Sequence, residues 1–226
     1  MIRIIKCLVG LILIPAVIAA CLALANLIQT LQGGPWNTWS WEVHGLWIGF
    51  VLWLLIYAVT PRALRTYVLA HELTHALWAW AMGARIKGIK VGRDGGHVKL
   101  SHTNFLITLA PYFFPFYTMV LIALHAVLSI FYDLSQYAPV WMGWIGLTWG
   151  FHFTFTIYAL RQRQPDIQAH GHIFSYSIIT LFNILGIYIW ITAITERSWN
   201  LAAHEIWQST RMVYEWLWVQ GGNLLS

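Results

Sequence analysis

Long apolar runs alternate with short polar joints along this chain, and run length is the first signal. Six runs approach the roughly 20 residues a helix needs to cross about 30 Å of hydrocarbon: Cys7–Ile28, Gly45–Thr60, Thr66–Met82, Phe105–Tyr132, Val140–Leu160 and Ile173–Thr195. The second is short, and Pro61 ends it because proline disfavours helix in the residue before it. Pro111 and Pro115 fall inside the fourth run. They predict a kink there, with freed carbonyls that other groups must satisfy. Between the third and fourth runs the pattern changes. Ile86, Ile89 and Val91 lead into Asp94-Gly95-Gly96, and Val98 and Leu100 lead out, which predicts a β-hairpin. After Thr195 the spacing becomes helical. Trp199, Ala202, Ala203, Ile206, Val213, Trp216 and Leu217 share one face, with Arg197, Asn200, Glu205, Gln208 and Arg211 opposite. That predicts an amphipathic helix lying in the membrane interface rather than a seventh span.

The expected fold is therefore an all-α polytopic membrane protein of about six transmembrane helices. A membrane-associated β-hairpin follows the third, and an amphipathic helix closes the chain. The natural divisions are 1–60 for the N-terminal transmembrane helices, 61–195 for the core and 196–226 for the C-terminal helix. No internal repeat or low-complexity segment is present.

Composition agrees. Of 226 residues, 59% are hydrophobic and only 9% charged, against about 25% charged in soluble domains. Many of the fifteen Trp flank the apolar runs, as interfacial aromatic belts do. The lipid bilayer is thus one partner. Nucleic acid is not: the net charge of +5 comes from Lys and Arg scattered in short loops, with no dense basic stripe. Cys7 and Cys21 both lie in the first run and suggest neither a disulfide framework nor a zinc knuckle. Arg3, Lys6 and the stretch Ile18–Cys21 resemble a cleavable leader. However, the apolar run continues to Ile28, so the segment reads as a retained anchor. Basic residues are spread almost evenly over the two membrane faces and leave the orientation open.

Against this apolar background, "YVLAHELTHALWAW" (Tyr67–Trp80) places His71, Glu72 and His75 within the third run. A charged side chain at the bilayer centre costs about 2.5–3.5 kcal/mol on insertion scales, so three ionisable groups in one span need a purpose. His71-Glu72-Leu73-Thr74-His75 is an HExxH motif. On a helix, positions i and i+4 share a face, so both imidazoles can point at one metal ion. Glu72 is turned about 100° away, placed to take a proton from a water there without ligating. Composition alone would produce such a match in about one chain in a hundred of this make-up.

A catalytic zinc site needs a third protein ligand and leaves the fourth position open. The topology prunes the candidates. His75 lies about 12 Å, at 1.5 Å per residue, from the membrane face where the hairpin begins. Asp133 falls on the opposite face, whereas "RQRQPDIQAHGH" (Arg161–His172) returns to the hairpin's side. Asp166 follows Pro165, which can turn its carboxylate into the bundle. Asp166 is therefore the expected third ligand, with His170, His172 and His152 as the alternatives.

The stretches "HELTHALWAWAMGARIKGIKVGRDGGHVKL", "LAPYFFP" and "QPDIQAHG" together resemble the site-2 protease family of intramembrane zinc metalloproteases, over about residues 66 to 185. The family's usual third-ligand Asp is followed by Gly, whereas here Ile167 follows Asp166. The resemblance implies a three-span core holding Zn2+ within the membrane, with Glu72 as the general base. It also implies a re-entrant hairpin, with Gly95 and Gly96 at its turn, that offers an edge to an unfolded transmembrane protein substrate. Asn183, in the sixth run, is expected to help hold substrate or an oxyanion, or else to bond between helices. Larger family members carry an appended sensing domain that is not recognised here, so a separate regulatory protein is a possible partner. The expected location is a bacterial inner membrane. The competing expectation is a metal carrier or metal-binding protein that performs no hydrolysis. His125 and His152 alone, deep in the fourth and fifth runs, make a poor path for an ion.

Overall fold

The computed structural model describes residues 2–31, 36, 40–60, 64–92 and 95–225. Pro61 and Asp94, expected to end a helix and to make a turn, lie outside them. The described chain is mostly helical, with one two-stranded antiparallel sheet. By contacts it falls into two units, 1–34 with 167–226 and 35–166. The first run thus groups with the last two helices.

Within 35–166, helix α2 (Trp41–Val59) starts at Ser40, whose hydroxyl accepts from Val43 N–H at 3.3 Å, a side-chain cap for an otherwise unpaired donor. Helix α3 (Leu64–Ala81) ends where Gly83 adopts φ +76°. Gly83 N–H donates to Trp80 O and Ala84 N–H to Ala79 O, the paired bonds of a Schellman turn, which favours glycine at its left-handed position. That stop releases the chain into β1 (Ile86–Val91), which pairs with β2 (Gly96–Leu100). Asn104 then caps α4 (Phe105–Leu109). A 3-10 turn over Ala110–Tyr112 follows, then α5 (Phe116–Leu128). The expected kink is present: the two halves of this run are bent by 85°.

Helix α6 (Ala138–Leu160) lies along α2, and glycines set how closely. A Cβ on Gly49 would stand 1.8 Å from Gly143 O, and one on Gly146 2.0 Å from Leu46 O. Small residues let helix backbones approach where lipid supplies no hydrophobic drive. Trp53 Nε1–H donates to Thr154 Oγ1 at 2.9 Å, tying the same pair.

The other unit holds most of helix α7 (Pro165–His170), α8 (His172–Ile194) and α9 (Trp199–Leu225), together with α1 (Ile2–Leu31). Gly10 of α1 sits against the Phe174 backbone, and Ser177 Oγ–H donates to Gly10 O at 2.9 Å. Helix α9 buries Ala202, Ser209 and Val213, a stripe narrower than the expected apolar face. Trp216 and Leu217, expected on that face, are exposed. Arg197 and Glu205, expected on the solvent side, pair with each other. Arg197 also donates to Thr30 Oγ1 at 2.6 Å, and Tyr188 donates to Glu205 Oε2 at 3.0 Å.

Among the described residues, Arg3–Leu31, Trp41–Val59 and His172–Ile194 are long and apolar enough to cross a membrane. The bent pair Phe105–Tyr112 and Phe116–Leu128 makes a fourth candidate. Helices α3 and α6, two of the six expected spans, are not among these; α3 carries His71, Glu72, Thr74 and His75 in its middle.

Candidate metal centre

His71 and His75 occupy successive turns of α3, so their rings meet edge-to-face along one side of the helix and their Nε2 atoms come within 3.2 Å. Pro165 opens α7 and brings Asp166 to the same place: its Oδ2 lies 3.4 Å from His71 Nε2 and 3.6 Å from His75 Nε2. Among the described residues, these three form the group that could hold a metal ion. Tetrahedral zinc ligands about 2.0–2.1 Å from the ion stand roughly 3.3 Å from one another. The observed triangle matches one face of such a tetrahedron.

Donor chemistry makes the fit stronger than spacing alone. His75 Nδ1 lies 2.8 Å from Ile107 O. A carbonyl only accepts, so Nδ1 carries the proton and Nε2 presents a lone pair. Asp166 presents another acceptor. A cation at the centre would satisfy all three groups at once.

Each ligand candidate is held from behind. The Tyr112 hydroxyl donates to Asp166 Oδ2 at 3.1 Å, and its ring meets His71 edge-on at 5.4 Å. Tyr112 is fully buried. The Tyr67 hydroxyl lies 3.3 Å from His71 Nδ1, one turn earlier on α3. Such outer partners fix ring orientation and ligand basicity at metal sites. Sequence reasoning missed both tyrosines. Tyr67 was findable as the residue four before His71; Tyr112 is 54 positions from its partner, and nothing local signals it.

Glu72 is buried, at 5% exposure, beneath the hairpin. A Cβ on Gly96 would come within 2.7 Å of Glu72 Cγ and 2.9 Å of Oε1. The absence of a side chain at Gly96 is thus what admits the carboxylate. Gly95 adopts φ +147°, a conformation only glycine takes readily, and its Cβ position faces open space.

The other expected residues each have their own contacts. Asn183 belongs to the unit of α1, α8 and α9, where its Nδ2 donates to Ile179 O at 2.8 Å. His170 Nδ1 is 2.7 Å from Lys6 Nζ, and His172 packs against Tyr176. His152 lines a cavity beside His71 together with Thr74 and Tyr117. Asp133 accepts from Ser135 N–H at 3.0 Å, capping a turn. Within 35–166, the structure groups Asp166 with the HExxH pair. No family model, curated protein or solved structure matches the chain.

Proposed function

We propose that this chain is an intramembrane zinc metalloprotease of the site-2 protease kind, built on six spans and acting on unfolded transmembrane protein segments. The observation that carries the reading is the 3.2–3.6 Å triangle of His71, His75 and Asp166 with Glu72 beside it. A structural metal site would have no need for a buried carboxylate held next to the ligands. A zinc ion bound there would polarise the scissile carbonyl and make a nearby water more acidic. Glu72 would accept the proton of the attacking water and return it to the leaving amine as the C–N bond breaks. The closely packed Gly96 keeps Glu72 aimed. His75, its tautomer set by Ile107 O, and Asp166, held by Tyr112, keep the site's shape while charge develops.

Substrate must present an unwound carbonyl, because a helical backbone hides its own. The sheet has two strands, β1 is exposed along its length, and its outer edge meets no second strand among the described residues. An extended substrate segment could add there by backbone hydrogen bonds.

The test is zinc per chain in detergent-purified protein, together with cleavage of a panel of fluorogenic transmembrane peptides. About one zinc is expected in the parent and in Asp133→Ala, with loss in Asp166→Ala, and cleavage that Glu72→Gln abolishes. Metal without Glu72-dependent cleavage would make the chain a metal-binding or carrier protein. No metal in the parent after zinc is supplied would end the proposal.

A further inference from the structure

The bend in the run from Phe105 to Leu128 does more than break a helix. In an uninterrupted α-helix, the carbonyl of residue 107 would accept from the N–H of residue 111. Residue 111 is proline, which has no N–H. Neighbouring carbonyls keep their partners: Ala110 N–H donates to Leu106 O, and Thr108 N–H to Asn104 O. The carbonyl that Pro111 leaves open is the one His75 Nδ1 approaches at 2.8 Å. Ile107 itself is fully buried, so water is poorly placed to take over, and leaving a buried carbonyl unpaired is destabilising. Each group therefore answers the other's need. The helix needs a donor at Ile107 O, and His75 needs an acceptor that keeps its proton on Nδ1.

We infer that Pro111 is a positioning residue for the candidate metal centre: by denying Ile107 O its helical partner, it reserves that carbonyl for His75 and turns Nε2 of His75 into a metal-facing lone pair. The inference rests on the metal site of the preceding section but not on hydrolysis. Pro115 serves as an internal comparison. It sits in the same bend, yet the carbonyl four residues before it belongs to Pro111, which contacts neither histidine in the described bonding. The two prolines therefore bend the chain together, but only one of them acts on His75.

The test uses the full chain in detergent, with zinc as the probe. Nitrogen-edited NMR of histidine in the metal-free parent should show His75 as the Nδ1–H tautomer. In Pro111→Ala, the new N–H at position 111 competes for Ile107 O, so the tautomer should become mixed. Zinc affinity, measured by chelator competition, should fall about tenfold or more, the range found when outer partners of metal ligands are lost. Pro115→Ala should keep the parent's tautomer and affinity. The inference is overturned if metal-free parent His75 carries its proton on Nε2, a measurement that needs no variant to fold. Equal loss of zinc affinity in both proline variants would also overturn it, because the bend rather than the carbonyl would then be responsible. A parent that binds no zinc would instead defeat the proposed function, whatever its tautomer.

Discussion

At Glu72, one helical position separates a base from a ligand. His71 and His75 point along one face of α3, and Glu72 is offset by about 100° towards the hairpin. Glu72→Gln keeps the size and burial of the side chain but cannot accept a proton. Zinc content should therefore be unchanged, while peptide cleavage falls about 10²–10⁴-fold, the usual contribution of a general base. Equal cleavage by parent and variant would remove Glu72 from the chemistry. Tyr112→Phe separates orientation from ligation in the same way. It deletes the hydroxyl that donates to Asp166 Oδ2 and leaves the ring against His71, so zinc should bind about 10–100-fold more weakly with the melting temperature nearly unmoved. Acid should weaken zinc binding, because the ligands must be deprotonated to hold the ion. An apparent zinc Kd that does not rise on acidification in a chelator competition series would argue against these three groups as the ligands.

At the scale of elements, the hairpin was legible because its signals are local. The spacing of Ile86, Ile89 and Val91 departs from strict alternation, yet all three share a face because a register shift between Ile86 and Gly88 absorbs the extra residue. The bend at Pro111 and Pro115 was readable for the same reason: proline acts on its own four preceding residues. Features that depend on remote partners were not readable. The glycines of α2 and α6 fix their crossing only when set against each other, roughly 100 residues apart. The buried stripe of α9 is narrower than its apolar face, since periodicity marks which residues can be buried and not how much surface a neighbour covers. Gly96 joins the two cases. Its place in the hairpin was visible in sequence, although it begins β2 rather than making the turn, whereas its contact with Glu72 appeared only in the fold. Gly96→Ala would force a Cβ to within 2.7 Å of both Glu72 Cγ and Lys90 O, which costs about 1–3 kcal/mol in a well-packed site. The expected outcome is normal zinc content, a lower melting temperature and reduced cleavage. Cleavage equal to the parent's would show that the hairpin does not seat the base.

At the scale of the whole molecule, run length and hydropathy part company where the chemistry sits. Among the described residues, three helices have the length and apolar character to cross a membrane, and the bent pair adds a fourth candidate. Helix α3, with its polar middle, is not among them although its run is long. If α3 and α6 nevertheless cross, as the proposed six-span arrangement requires, their polar groups must be satisfied inside the protein. Within this unit several are: His75 bonds to Ile107 O, Thr74 to Ala70 O, Thr154 to Trp53 and Gly150 O, whereas Thr156 Oγ1 of α6 is buried without a hydrogen-bond partner. The arrangement then fixes which loops share a membrane face. The hairpin and the segment before Asp166 should lie on one side, and the loop after α5 on the other. Lys99, Asp133 and Arg163 are all exposed and mark these three places. With Cys7 and Cys21 replaced by alanine, single cysteines at 99, 133 and 163 can be labelled in sealed vesicles by a membrane-impermeant maleimide. Positions 99 and 163 should label from the same side and position 133 from the other. Labelling of all three from one side would make the 85° bend between α4 and α5 the tip of a re-entrant loop. It would also remove two crossings from the proposed six, while leaving the His71, His75 and Asp166 triangle intact.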